Sequence, residues 1–192
     1  MSNAPPRLAD FIRQLDTLVA ERDESRLLPQ IAHALEELIA ADDWLPDAYA
    51  VPDPDRYTQY LLYRDPAARF SVVSFVWGPG QGTPIHDHTI WGAVGVLRGA
   101  ERSQRFAVSG NAPPQALGKP ETLAAGTVET VSPGVGDVHQ VVNAVTDAVT
   151  ISIHVYGADI GKVERHIFPA EGGARRFISG YANDARTPPF AI

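Results

Sequence analysis

Two short runs of the chain carry three histidines at spacings that suit a shared metal ion. His86 and His88 flank Asp87 in the first run, and the second run, which begins at Gly136, supplies His139. Side chains alternate between the two faces of an extended strand, so His86 and His88 are expected to point the same way, about 6–7 Å apart. Imidazole is the commonest metal ligand among side chains. The spacing therefore predicts a metal site formed by His86, His88 and His139.

The chain contains no cysteine. A disulfide framework and thiolate ligands are therefore excluded, and a metal site must use histidine and carboxylate ligands. Pairs of the form His-x-His also arise among structural histidines, so the residues around them must decide. A zinc enzyme with three imidazoles and one open position would use the same ligand set, and it stays an alternative.

The residues around the histidines stand at the spacings of two known motifs. Gly80 lies six residues before His86, Gly99 lies seven residues after Gly92, and further motif residues lie near the second run: Pro133, Gly136 and Asn143. Together these runs resemble the two cupin motifs. A carboxylate ligand normally follows the His-x-His pair of the first motif, and here that place is Gly92. The chain therefore resembles a cupin that has lost the acidic ligand.

A cupin with three histidine ligands and no acid resembles the thiol dioxygenases, the group that contains cysteine dioxygenase and 3-mercaptopropionate dioxygenase. Further positions agree with that group between residues 57 and 181: Trp77 to Gly82, Tyr57 to Gln59, Ser152, His154, Tyr156 and Arg165. The resemblance implies a mainly β cupin barrel and one Fe(II) per chain, held by His86, His88 and His139. It also implies addition of O2 to the sulfur of a small mercapto acid, which gives the sulfinic acid.

Three alternating residues, Ser152, His154 and Tyr156, match the Ser-His-Tyr relay of the thiol dioxygenases. On a strand they would share one face and could hydrogen-bond to one another. A polar ladder on a solvent-exposed face is the alternative interpretation of the same alternation. Animal cysteine dioxygenases link the relay tyrosine to a cysteine through a thioether. The matching region here is Gly92 and Ala93, so Tyr156 is expected to be a free phenol.

Arg165 and Gln59 are the expected substrate-binding residues. The planar guanidinium of arginine can bind a carboxylate through two hydrogen bonds, and Arg165 lies at the distance found in the 3-mercaptopropionate branch. Gln59 stands where cysteine-selective animal enzymes carry arginine, and it also resembles that branch. We therefore expect 3-mercaptopropionate as the substrate, with L-cysteine as the alternative. A non-catalytic cupin that binds a small acid is a more distant alternative, because cupins host many functions.

Composition limits the class of molecule. The 192 residues are 44% hydrophobic, which is enough for one domain with a core. A net charge of −7 gives no basic surface, so neither nucleic acid nor membrane is an expected partner. The chain shows neither a membrane-length apolar run nor a signal-peptide layout at its start. We expect a cytoplasmic protein and leave the oligomeric state open.

Hydrophobic periodicity predicts two helices followed by a β region. Apolar residues recur at helical spacing in two segments: Leu8, Phe11, Ile12, Leu15, Leu18 and Val19, then Ile31, Leu35, Leu38 and Ile39. Ser25 is a plausible cap of the second helix. Seven strands are expected: Tyr57–Arg64, Phe70–Trp77, Trp91–Leu97, Arg102–Val108, Val128–Val131, Val138–Val142 and Val149–Tyr156. We expect one domain, with residues 1–56 as a helical segment and linker packed on a barrel of residues 57–192, whose last residues, 171–192, form a tail.

Overall fold

The computed structural model describes residues 3–192, and these fold into two α-helices followed by ten β-strands. The helices are α1 (Pro6–Leu18) and α2 (Glu24–Ile39). The strands are β1 (Thr58–Arg64), β2 (Ser71–Trp77), β3 (Gly92–Arg98), β4 (Ala100–Ala107), β5 (Gln115–Ala124), β6 (Val128–Val131), β7 (His139–Asn143), β8 (Thr150–Tyr156), β9 (Arg165–Ile167) and β10 (Arg175–Phe177). The expectation of a mainly β cupin barrel with N-terminal helices is confirmed.

Both helices bury the apolar faces that the sequence predicts. Leu8, Leu15, Ile31 and Leu35 are fully buried in one core with the outer face of the larger sheet. The cap of α2 differs from the expected Ser25. The Asp23 side chain accepts a hydrogen bond from the Ser25 backbone nitrogen at 3.0 Å, so Asp23 is the capping residue.

The strands form two main sheets that face each other. Five strands pair in the order β1-β2-β8-β3-β6, and three strands pair in the order β5-β4-β7. Strand β8 lies at the centre of the larger sheet and pairs antiparallel with both β2 and β3. A second hydrophobic cluster joins residues of both sheets, including Trp77, Val141 and Tyr156. The space between the sheets is therefore the interior of the barrel.

The alternation of β8 separates the packing face from the polar face. Ile151, Ile153 and Val155 pack with the helices, whereas Ser152, His154 and Tyr156 take the other side of the strand. All seven residues of β8 are buried. A solvent-exposed polar ladder, the alternative interpretation of this strand, is therefore wrong.

Seven strands agree with the predicted segments to within about two residues, and three strands were not predicted. Strand β5 is almost entirely exposed and contains Gly118 and Pro120, so it lacks a buried alternating face. Strands β9 and β10 have three residues each and pair with one another. In the segment expected to form a tail, residues 171–192, Phe190 N donates to Leu62 O of β1 at 2.7 Å, and the tail itself stays a prediction. The domain boundary at residue 56 stays a prediction.

Two motif glycines occupy turns that a side chain would disturb. Gly99 joins β3 to β4 with a φ of 79°, and a Cβ there would lie 2.4 Å from Thr150 Oγ1. Gly136 has a φ of 115°, and its Cβ would lie 2.8 Å from Arg105 Nη1. Both are left-handed conformations that favour glycine. These turns position the strands that carry the polar interior.

Among residues 3–192, neither helix has the length and hydropathy needed to cross a bilayer.

Candidate active site

The three predicted metal ligands converge inside the barrel. The ring centroids of His86, His88 and His139 form a nearly equilateral triangle with sides of 4.8, 4.9 and 4.9 Å. Their candidate ligand atoms all lie within 4.8 Å of one another. His86 and His88 do not lie on a regular strand, as the sequence suggested. They lie in a loop that is held by isolated bridges from His86 to His139 and to Ile167.

Each of these rings turns its Nδ1 atom towards a protein group. His86 Nδ1 lies 3.1 Å from Pro84 O, and His88 Nδ1 lies 3.2 Å from both Asp137 O and Asp137 Oδ1. His139 Nδ1 lies 3.4 Å from Ser103 Oγ. The acceptor partners of His86 and His88 assign the proton to Nδ1. The opposite nitrogen, Nε2, is then free to bind a metal.

Burial keeps two of the ligand candidates neutral. The pKa of His86 and of His88 lies well below the usual value, first because burial disfavours the charged ring and then because neighbouring rings oppose a second charge. Neutral imidazole is the form that binds metals. A carboxylate, Glu129, lies behind His139, with Oε2 3.8 Å from Nδ1. Burial alone would raise the pKa of Glu129, but His139 and Arg105 lower this pKa to about 2.

The donor set fits a divalent transition metal. Three buried, convergent imidazoles without a carboxylate ligand can bind Fe(II) or Zn(II) and leave further coordination positions open. The ligand set alone does not select between these two metals.

A cavity of about 250 Å³ opens beside the three histidines. Its walls come from both sheets and from the β9–β10 hairpin: Tyr57, Gln59, Phe75, Trp77, Thr83, Pro84, Val141, His154, Tyr156, Arg165, Ile167 and Phe177, with the three histidines. The structure thus brings every predicted site residue to this cavity or, for Ser152, directly behind it. The volume suits a ligand of a few heavy atoms.

Ser152, His154 and Tyr156 form a continuous hydrogen-bonded chain. Ser152 Oγ lies 2.7 Å from His154 Nε2, and His154 Nδ1 lies 2.8 Å from the Tyr156 hydroxyl. Trp77 Nε1 donates to Ser152 Oγ at 3.1 Å, and the Phe75 ring stacks on His154 at 4.0 Å. Burial is the main reason that the pKa of His154 lies well below its usual value and that the pKa of Tyr156 is raised. His154 is therefore neutral and Tyr156 keeps its proton.

The ring of Tyr156 occupies the space beside Gly92. These two residues are cross-strand partners, and a Cβ on Gly92 would lie 2.7 Å from Tyr156 Cδ1. The Tyr156 ring also stacks on His88 with a centroid distance of 5.6 Å. A side chain at this position, where the first cupin motif normally carries its acid, would displace the ring.

We expect Gly92→Ala to destabilise the fold by about 1–3 kcal/mol, since overpacking a filled interior has that cost. Turnover should fall as well, because the Tyr156 hydroxyl moves with its ring. Urea unfolding followed by steady-state assays measures both effects. Gly134→Ala is the matched control, since its Cβ would meet nothing closer than 3.5 Å. Equal stability of the two variants would contradict this account.

The polar end of the cavity carries Arg165 and Gln59. Arg165 is only 4% exposed, its Nη2 donates to Ser179 Oγ at 2.7 Å, and its guanidinium lies 4.6 Å from the Phe177 ring centroid. Its Nε has no hydrogen-bond partner, and within residues 3–192 no carboxylate pairs with it. Gln59 Nε2 donates to Gly180 O. Arg165 is therefore a buried cation with an unused donor.

Asp87 connects the metal loop, which carries His86 and His88, to β9, the strand that carries Arg165. Its Oδ1 accepts from His166 N at 2.7 Å, and its Oδ2 lies 2.8 Å from His166 Nδ1. Asp87 thus orients His166 and its backbone. His33, in contrast, lies on the exposed side of α2 beside Glu36 and Glu37.

Three acidic residues near the site were not found from the sequence: Glu129 behind His139, Asp137 and Glu101. Asp137 accepts from the backbone nitrogens of His88 and Thr89 and so shapes the turn after the metal loop. Glu101, on β4, is fully buried near Ser152 and Trp77. Each contacts residues far away in the chain, and no local spacing signals such a contact.

A family model described as cysteine dioxygenase type I matches residues 1–166. The chain belongs to this family. The match starts earlier than the resemblance over residues 57–181 and includes both helices of this cysteine dioxygenase family member. It ends one residue after Arg165, so the C-terminal segment with Phe177 and Gly180 lies outside it.

Curated relatives match a shorter part of this family member. Cysteine dioxygenase type 1 from Homo sapiens and its counterpart from Pongo abelii are each 36% identical over 85 residues, which cover 44% of this chain and 40% of the relative. The chain thus spans less than half the length of these relatives.

Solved structures resemble this family member at low identity. A double-stranded β-helix protein from Klebsiella pneumoniae is 20% identical, with a TM-score of 0.47. The alignment covers 71% of this chain and 96% of the Klebsiella chain. A cupin superfamily protein from Desulfitobacterium hafniense is 13% identical, covers 62% and 93%, and has a TM-score of 0.45.

Proposed function

We propose that this protein is a non-haem Fe(II) thiol dioxygenase that converts a small mercapto acid, R–SH, and O2 into the sulfinic acid, R–SO2H. Both oxygen atoms enter the product, so the reaction needs no separate reductant. Membership in the cysteine dioxygenase type I family supports this class of reaction. The physiological substrate we propose is 3-mercaptopropionate.

One observation carries the proposal: a single cavity combines three convergent histidines, a buried hydrogen-bonded relay and a buried cation without an anion. A zinc hydrolase needs the first of these features but not the other two. A non-catalytic cupin that binds small acids needs the cation but not the relay. The combination therefore favours a metal enzyme that acts on a carboxylate-bearing substrate.

In this proposal His86, His88 and His139 hold the metal through their Nε2 atoms. Bound there, Fe(II) would supply the coordination site for the thiol and the activation of O2 for attack on sulfur. The protein contributes the position of the substrate. Arg165 binds the carboxylate, and the aromatic walls formed by Phe75, Trp77 and Phe177 exclude water from the cavity.

Tyr156 acts as a hydrogen-bond donor inside the cavity. Because its pKa is raised, chiefly by burial, the phenol stays protonated at neutral pH. His154 accepts from or donates to this hydroxyl through Nδ1 and fixes its direction, and Ser152 does the same for His154 through Nε2. The role of this relay is to hold a proton beside the reacting groups.

The choice of 3-mercaptopropionate over L-cysteine rests on the charges in the cavity. Arg165 can pair with one carboxylate, and Gln59 adds no second positive charge. A substrate with a thiol and a carboxylate but no amine suits this arrangement. L-Cysteine is the second candidate, since the curated relatives are named cysteine dioxygenase type 1.

A direct assay tests the proposal. The purified protein is reconstituted with Fe(II) without oxygen, and O2 uptake is then measured with 3-mercaptopropionate, L-cysteine, cysteamine and mercaptosuccinate. We expect the highest kcat/KM with 3-mercaptopropionate and the sulfinic acid as product. No O2 uptake with any of the four thiols would overturn the proposal, and so would O2 uptake with Zn(II) equal to that with Fe(II).

Arg165→Ala is expected to lower kcat/KM for 3-mercaptopropionate by roughly ten- to a hundredfold, since a charge-assisted hydrogen bond contributes about 1.5–3 kcal/mol. Cysteamine has no carboxylate, so its kcat/KM should change much less. Arg176→Ala is the control variant, because that arginine is 74% exposed on β10. If cysteamine lost as much as 3-mercaptopropionate, Arg165 would not be a carboxylate anchor.

A further inference from the structure

Glu101 is a buried acid that the proposed reaction does not yet use. Its exposure is 0%, and neither carboxyl oxygen has a hydrogen-bond partner. An unpaired, buried carboxylate is costly, so such a group needs an explanation.

The neighbours of Glu101 place it behind the relay. Ala100, the preceding residue, donates its backbone N–H to Thr150 Oγ1 at 3.1 Å, and this bond joins the start of β4 to β8 two residues before Ser152. Ser152 and Trp77 are the hydroxyl and indole groups close enough to act on the Glu101 carboxyl, although neither forms a hydrogen bond of ordinary geometry with it. The carboxyl thus lies beyond Ser152, at the end of the relay opposite Tyr156.

We propose that Glu101 is the terminal positioning residue of the relay, and that its carboxyl sets the direction of the hydrogen bonds from Ser152 through His154 to Tyr156. This inference rests on the proposed function of the same cavity.

The protonated acid gives one direction. Glu101 then donates to Ser152, Ser152 donates to His154 Nε2, and His154 Nδ1–H donates to the Tyr156 oxygen. Trp77 Nε1–H fills the remaining acceptor position of Ser152 Oγ. The Tyr156 proton is left free to point into the cavity.

The ionised acid gives the opposite direction. Ser152 then donates to the Glu101 carboxylate and accepts from His154 Nε2–H, so His154 Nδ1 becomes an acceptor. The Tyr156 hydroxyl now donates to His154 and is withdrawn from the cavity. One proton has left Glu101, and the proton of His154 has moved from Nδ1 to Nε2, which conserves the remaining protons of the relay.

The environment of Glu101 places this change near neutral pH. Burial raises its pKa to about 7, the ionised Glu129 on β6 raises it further, and Ser152 and Trp77 oppose the rise. Its cross-strand neighbours, Leu123 on β5 and Asn143 on β7, carry no charge. His154 and Tyr156, the titratable groups of β8, are connected to it through Ser152.

The pH profile of kcat tests the inference. With saturating thiol, kcat of the wild-type enzyme should fall by about tenfold per pH unit above the Glu101 pKa. In Glu101→Gln the amide always offers a donor to Ser152, so the alkaline decline should disappear. Adding Glu101→Gln to Tyr156→Phe should not change the pH profile of kcat further, because the tyrosine hydroxyl that the relay orients is absent. An alkaline decline that persists in Glu101→Gln would overturn the proposal.

A measurement without turnover separates this inference from the proposed function. In protein labelled with nitrogen-15 and loaded with diamagnetic Zn(II), the ring-nitrogen shifts of His154 report its tautomer, and His154→Gln identifies the signals. We expect the proton to move from Nδ1 to Nε2 as pH rises in the wild type but to stay on Nδ1 in Glu101→Gln. If the His154 tautomer did not change with pH in either protein, the proposed role of Glu101 would be wrong. Absence of O2 uptake with every thiol would overturn only the proposed reaction.

Discussion

His139→Ala is expected to lose most of its bound iron and essentially all turnover. His139 is one corner of the histidine triangle, and its replacement leaves only two imidazoles at the site, while the backbone bridge to residue 139 is kept. Loss of an outer partner of a ligand already costs about 10–100-fold in affinity, so loss of a ligand should cost more. Elemental analysis after reconstitution with Fe(II), followed by O2 uptake, measures both losses.

His33→Ala is the matched control for this variant. It removes a histidine of the same size whose side chain is 71% exposed on α2, so iron content and turnover should stay at the wild-type level. Circular dichroism of the two variants checks that each is folded. A folded His139→Ala protein with full iron and full O2 uptake would show that the ligand assignment is wrong.

Tyr156→Phe is expected to slow turnover by roughly 10²–10⁴-fold, the usual range for loss of a positioned proton donor. The ring and its stacking on His88 remain, so the iron content and the fold should be kept. The loss should be mainly in kcat, because the hydroxyl contributes to the reaction more than to binding of the thiol acid. Steady-state kinetics at several pH values measures this split.

Tyr60→Phe provides the comparison. The Tyr60 hydroxyl donates to Val51 O at 3.0 Å, away from the cavity, so this change removes a buried hydroxyl of the same kind without touching the relay. Its turnover should be close to that of the wild type. If the kcat of Tyr156→Phe equalled that of the wild type at every pH, Tyr156 would have no part in the mechanism.

The sequence predicted the parts of the fold that depend on local alternation. Residues 149–156 alternate between branched apolar and polar side chains, and β8 forms there as predicted, at the centre of the larger sheet. The alternation also indicated which three polar residues would share a face. Strand β5 escaped prediction because it lies at a sheet edge, where exposure removes the alternation.

The site was predicted where a motif or a periodicity connects its residues. His86 and His88 converge as expected, although a loop and not a regular strand directs them, so the reasoning from strand alternation was only partly right. The contacts of Asp137 with His88, of Asp87 with His166 and of Glu101 with the relay could not be predicted. They join segments that are distant in the chain, and only the closed barrel brings them together.

Family membership supports the class of reaction. The metal, the thiol, the cytoplasmic location and the residue roles stay predictions.

Hydrogen bonds between the metal loop and the segment around β9 hold the two ends of the cavity at a set spacing. Phe168 N donates to Ile85 O at 2.8 Å, Asp87 N donates to His166 O at 3.1 Å, and the Asp87 carboxylate binds His166 in return. These bonds link the backbone that carries His86 and His88 to the backbone that carries Arg165, which limits how far the two can move apart. Under the proposed function, the enzyme selects its substrate by the number of methylenes between thiol and carboxylate. We expect mercapto acids with a shorter or a longer methylene chain to be poorer substrates.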